Sequence, residues 1–139
     1  MRDIVIRNIK ARFAVIDELA KSITEAQFSA KLDVPKYKSV EDHLWCIVGA
    51  RESYFRALLA GEWQGFNCSL TGESDKSSYE YALLQTHKNF ENVLSSVHWS
   101  ESTETILASL YEHEVMHEGQ IIRLLYGLGL QMPESSKWA

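Results

Sequence analysis

The sequence has little of what would take it out of the ordinary globular class. It has two cysteines, Cys46 and Cys68, too few to read as a disulfide framework. Its 14 Lys and Arg residues are outnumbered by 19 Asp and Glu, for a net charge of −5. No basic run or stripe is present, so the electrostatic footprint of a nucleic-acid binder is missing and any link to DNA would be indirect. No stretch approaches the roughly 18 apolar residues of a membrane span. The opening, Met1 to Arg7, is amphipathic and charged, without the apolar core or cleavage signal of a secretory leader. A cytoplasmic address is therefore expected. There is also no convincing strand, internal repeat or low-complexity segment.

What the sequence does hold is helical periodicity. Its 139 residues are 45% hydrophobic and 24% charged, enough apolar material to pack one domain over residues 1–139. A first helix is predicted from about Asp3 to Ser22, with Ile6, Ile9, Phe13, Ile16 and Ala20 on one face. Thr24 to Ala30 can form a single helical turn in a mixed segment that also contains Pro35. Ser39, followed by Glu41 and Asp42, looks like the start of a second helix that runs to Ala60 and stops at Gly61. Its stripe reads Val40, His43, Ile47, Ala50, Tyr54 and Leu58.

Residues 61–77 have loop chemistry. A third helix, capped by Ser77 or Ser78, carries Leu83, Thr86, Phe90, Val93 and Val97 inward. After a break at His98, Trp99 and Ser100, the fourth helix runs from about Thr103 to Leu128, ended by Gly127, Gly129 and Pro133. The pattern is an all-α, four-helix bundle. A second helix of about 22 residues is roughly 33 Å long. A loop of about 17 residues reaches roughly 56 Å, so the long connection can cross the bundle and leave the second and third helices parallel.

Three histidines fall on the inward stripes. His113 and His117 are four residues apart, about 40° around the helix axis and about 6 Å along it, so two imidazoles can converge on one ion. They interrupt the apolar seam Ile106, Leu110, Ile121, Leu124, Leu128. Buried imidazoles need partners, and a metal satisfies several at once. His43 occupies the corresponding stripe of the second helix, which makes three ligands and leaves coordination open.

The run His113-Glu114-Val115-Met116-His117 also fits the H-E-x-x-H pattern of metalloproteases, with Glu114 as general base. The metzincin extension is missing, and no strand is available to align a peptide. Glu134, past Pro133, is a remote candidate ligand. Glu114 reads better as a supporting or solvated residue. Cys46, one turn after His43, could approach the metal but reads first as a small buried residue. Cys68 reads as a loop residue, and His87 and His98 as solvated or structural. Tyr54, Trp45 and Trp63 could line a pocket, although aromatics at this spacing usually belong to the core.

Ser39-Val40-Glu41-Asp42-His43-Leu44-Trp45 resembles the first histidine motif of the DinB-like (DinB/YfiT) family. The run from His113 to Ile121, followed by Leu124, Gly127-Leu128-Gly129 and Pro133, resembles the second. The likeness covers nearly the whole chain. It implies an up-down-down-up four-helix bundle in which His43, His113 and His117 bind a divalent metal, and often a homodimer. Several relatives are thiol-dependent transferases or isomerases that use low-molecular-weight thiols. Three imidazoles suit zinc, nickel, iron or copper. Three readings stay open: a thiol-dependent metalloenzyme acting on a small-molecule substrate, a metal-dependent hydrolase, and a non-catalytic metal-binding bundle.

Overall fold

Three of the four long helices begin on a side-chain cap. In this computed structural model, which describes residues 1–136, Ser39 caps α3 (Val40–Ala60). Its hydroxyl accepts from the Asp42 N–H at 3.1 Å, and the Asp42 carboxylate accepts from the Ser39 N–H at 2.9 Å. (In α-numbering, α1 is Arg2–Ser22 and α2 the single turn Glu25–Phe28.) Ser100 and Thr103 form the same reciprocal box at the start of α5 (Glu101–Gly127), and Thr24 and Gln27 form it for α2. The expected cap of the third long helix needs correcting. α4 (Lys76–Ser96) starts on Asp75, whose carboxylate takes the Ser78 N–H at 2.8 Å. An ionised acceptor outcompetes the hydroxyls of Ser77 and Ser78 at the positive end of a helix.

Two stops depend on glycine. Gly61 ends α3 at φ 81. Gly129 adopts φ 71 while the Leu130 N–H reaches back to the Leu125 carbonyl at 2.9 Å, a Schellman ending for α5. A short 3-10 turn, Glu134–Ser136, packs against α1. No strand occurs among the described residues. The expected domain 1–139 also includes residues 137–139, which lie outside the described ones.

Helices α1 and α3 each pack on both α4 and α5. The segment after Gly61 turns back beside α3: the Asn67 N–H donates to Ser53 Oγ at 3.0 Å, the Ser69 N–H to Glu52 at 2.8 Å, and the Trp45 indole to the Leu70 carbonyl at 3.1 Å. The core has two halves. One gathers Ile16, Leu19, Leu44, Ile47, Leu83 and Ile121, and the other Ile9, Phe13, Phe55, Leu58, Phe90 and Leu110.

A polar layer of Arg51, Thr86 and Glu114 separates them. On α5 the buried seam runs through Thr103, Leu107, Leu110, Glu114, His117 and Ile121. Ile106, His113 and Leu128 of the predicted stripe are only half-buried. The helix is turned toward Leu107 and Glu114 because Glu114 meets Arg51 inside.

Candidate metal centre

His43 stands one turn into α3, placed there by the Ser39–Asp42 box. His117 faces it from α5, and both are buried, at 5% and 4% exposure. Their Nδ1 atoms are 3.0 Å apart and their ring centroids 5.3 Å. The His113 ring lies one turn earlier on α5, 4.4 Å from that of His117. The structure therefore brings together the three histidines picked out from sequence. His113 Nδ1 is buried and has no hydrogen-bond partner. As the side chains stand, no group of three His, Cys, Asp or Glu residues among the described ones is gathered closely enough to hold an ion.

Imidazole nitrogens are nevertheless donors of the kind a divalent ion takes, and two of them meet here. Two imidazole nitrogens at about 2.0–2.1 Å from a tetrahedral ion are about 3.3–3.4 Å apart, so the His43–His117 pair needs to open by only a few tenths of an ångström. The unpartnered His113 nitrogen is the kind of orphan that an ion would satisfy.

Burial favours the neutral form of all three imidazoles. Burial pushes His113 down to about 4, with Lys38 and Arg51 adding to the effect. Burial pushes His117 down to about 3, followed by its two histidine neighbours and Lys38. His43 is lowered by burial and by Lys38, partly opposed by Asp42. A proton on any one ring would face low dielectric and nearby positive charge.

Beside the histidines opens a cavity of about 420 Å³, walled by His43, His117, Met116 and Gln120 and by Lys36, Tyr37 and Lys38 from the segment before α3. On the other flank Tyr54 lies 6.3 Å from the His113 ring and 5.1 Å from that of Trp63.

Glu114 is neither solvated nor turned toward the histidines. It has no exposed surface and grips Arg51 through two bonds, Nε to Oε1 at 3.0 Å and Nη2 to Oε2 at 3.1 Å. Burial raises its carboxyl, with the Arg51 charge pulling the other way. Its lone pairs are committed to the guanidinium, so the H-E-x-x-H reading loses its general base.

Arg51 is the residue that sequence reasoning missed. A signal was available: Leu44, Val48, Arg51, Phe55 and Leu58 share helical spacing, and all are buried. Besides Glu114, Arg51 donates to the Leu83 carbonyl at 3.3 Å, to Thr86 at 3.4 Å and to Asp17 at 3.5 Å, and it stacks on the Phe13 ring.

Cys46 is half-buried, and its sulfur lies 3.3 Å from Lys38 Nζ, which donates to it. Cys68 lies in the loop beside α3, donating to the Trp45 carbonyl at 3.6 Å. His87 pairs with Asp17 at 2.7 Å, and His98 is exposed. Trp45 and Trp63 are exposed rather than part of the core, Trp45 resting against the Phe66 ring. None of Trp45, Tyr54 and Trp63 lines the cavity. Glu134 is exposed on the 3-10 turn against α1 and takes no part in the cavity wall. No family model matches the chain, and no curated protein matches it.

Proposed function

We propose that the chain is a divalent-metal-binding protein of the DinB-like kind. His43, His113 and His117 are the ligands, and the chemistry is thiol transfer. The observation that carries this reading is a run of three imidazoles held neutral: His43 and His117 stand on the wall of a cavity, and His113, with an orphaned buried nitrogen, packs behind His117. Helix directions support the same family. Arg2 lies against Glu104 and Arg12 against Glu118, so α1 and α5 run alike. His43 meets His117 while Ser102 meets Gly61, so α3 opposes α5. Arg51 meets Leu83 and Phe55 meets Phe90, so α3 and α4 run alike. These pairings support the up-down-down-up order that the resemblance implies.

A three-histidine ion with open coordination lowers the pKa of a thiol or water that reaches it. The chain's own part is to supply neutral donors and to hold two reactants side by side in the cavity. In the transfer, the thiol sulfur bonds to an electrophilic carbon, its proton passes to solvent, and the leaving group departs with its electron pair. Neither cysteine lines the cavity, so no thiol of the chain competes there with an incoming one.

Elemental analysis of tag-free protein tests the site. About one transition metal per chain is expected, with a marked drop in His117→Ala. Equal content in wild type and all three single alanine variants would end the proposal. A panel of electrophiles with and without added thiol tests the chemistry. Ester or amide cleavage indifferent to thiol points to the hydrolase, and a fourth protein ligand such as Cys46 points to a non-catalytic metal.

A further inference from the structure

The cavity beside the histidines is charged oppositely to the molecule. The chain carries a net charge of −5, yet the cavity is lined by Lys36 and Lys38 and by no carboxylate. Neither lysine forms a salt bridge to an acid among the described residues, and Lys38 donates only to the Cys46 sulfur. Asp42, a neighbouring acid, is occupied by the N–H and hydroxyl of Ser39 at 2.9 Å each. Both ammonium groups thus stand at the mouth of the cavity outside any salt bridge among the described residues, Lys38 with one donor on the Cys46 sulfur and its charge near Asp42.

The backbone at this lip is also unusual. Lys36 sits at φ 63, the one non-glycine residue with positive φ among those described. The Tyr37 N–H donates to the Val34 carbonyl at 3.1 Å, closing a turn with Pro35 and Lys36 at its centre. Positive φ after a proline in such a turn is the place where glycine or asparagine fits without strain. A lysine held there bears strain that glycine would remove, and strain of this kind collects at binding sites, where surrounding structure maintains it.

We propose that the cavity takes a small anionic molecule, its carboxylate or phosphate resting between Lys36 and Lys38 and its reactive end toward His43 and His117. This deepens the transferase reading and rests on it for the reactive end alone. The anion seat belongs to the turn, and its role is to fix which end of the molecule faces the histidines. At about 420 Å³ the cavity has room for a small metabolite but not for a folded partner. Exposed ammonium groups give modest selectivity that salt screens, roughly threefold to tenfold for two acting together.

Two arms test it. In the first, 3-mercaptopropionate, 2-mercaptoethanol and cysteamine are titrated into cobalt-loaded protein and followed by absorption. The carboxylate thiol should bind roughly threefold to tenfold more tightly than the neutral one, with the cationic thiol weakest. The double variant Lys36→Gln with Lys38→Gln should abolish the ranking at unchanged cobalt content. Equal affinities, or a ranking that survives the double variant, overturn the proposal. In the second arm, succinate and inorganic phosphate are titrated into metal-free protein while the amide resonances of Lys36 and Lys38 are monitored. Shifts from either anion support the seat and say which group it prefers; shifts from neither overturn it. Protein that fails to take up cobalt would sink the metal reading, and the second arm would still decide the anion seat. Lys36→Gly separates strain from recognition, with higher stability and weaker anion binding expected.

Discussion

Arg51 touches all the other long helices from one position on α3: Phe13 and Asp17 on α1, Leu83 and Thr86 on α4, and Glu114 on α5. Burying a guanidinium is costly unless its donors are satisfied, and here they are. The consequence is asymmetric. Glu114→Ala leaves an uncompensated charge in the interior and should cost about 3–5 kcal/mol in a denaturant titration. Replacing both partners, Arg51→Met with Glu114→Leu, removes the need for pairing and should recover much of that loss. A Glu114→Ala protein as stable as wild type would contradict this, and would return Glu114 to the role of a free base. At the same scale, Glu114 shows why a short motif can mislead. The letters H-E-x-x-H are present, but the middle carboxylate points across the bundle instead of sharing the cavity with His113 and His117.

At the scale of elements, the start of α3 carries more than a helix end. Its capping box is flanked directly by two residues of the cavity wall, Lys38 just before Ser39 and His43 just after Asp42. Ser39→Ala should lower stability by about 1 kcal/mol, the usual cost of a lost cap. It should also weaken zinc affinity, because fraying of the first turn loosens His43 directly. A calorimetric titration giving the wild-type affinity alongside the lower stability would show that the cap supports the helix without positioning the ligand. The α5 element is positioned differently: its face is set by Glu114 and His117 together, one held by Arg51 and the other by His43.

For the whole molecule, the histidine cluster couples metal, proton and stability. A ligand bound only by the folded state stabilises it by about 2.7 kcal/mol at a hundred times its dissociation constant. Zinc should therefore raise the thermal midpoint, EDTA should lower it, and the difference should vanish in His113→Gln with His117→Gln. Acid should act in a defined direction on the metal-free protein. The unfolded imidazoles take protons near 6.5, whereas folded His113 and His117 wait until about 4 and about 3. Between those limits the unfolded state binds more protons, so stability is fully present above about 6.5 and is lost as the pH falls through the window. Glu114 opposes this in its own range, since its raised carboxyl makes the folded state the greater proton binder there. The comparison to make is wild type against the double glutamine variant in denaturant titrations from pH 7.5 to 4. Parallel stability curves for the two proteins would contradict the assignment.

The sequence by itself determined the all-helical class, the extents of the helices to within a few residues, and the presence of three histidines on inward arcs. These are local properties: apolar period, caps such as Ser39 and stops such as Gly61 act within a few residues of themselves. Tertiary structure decided how far each helix is rotated about its axis. An apolar arc is broad enough to allow several rotations, and the one adopted takes Arg51 and Glu114 into the interior while leaving Trp45 outside. A buried ion pair cannot be read from either helix alone, because each half is unfavourable until the other faces it. The cavity was likewise out of reach of sequence reading, since its walls come from α3, α5 and the Lys36 turn, and only packing sets the space between them.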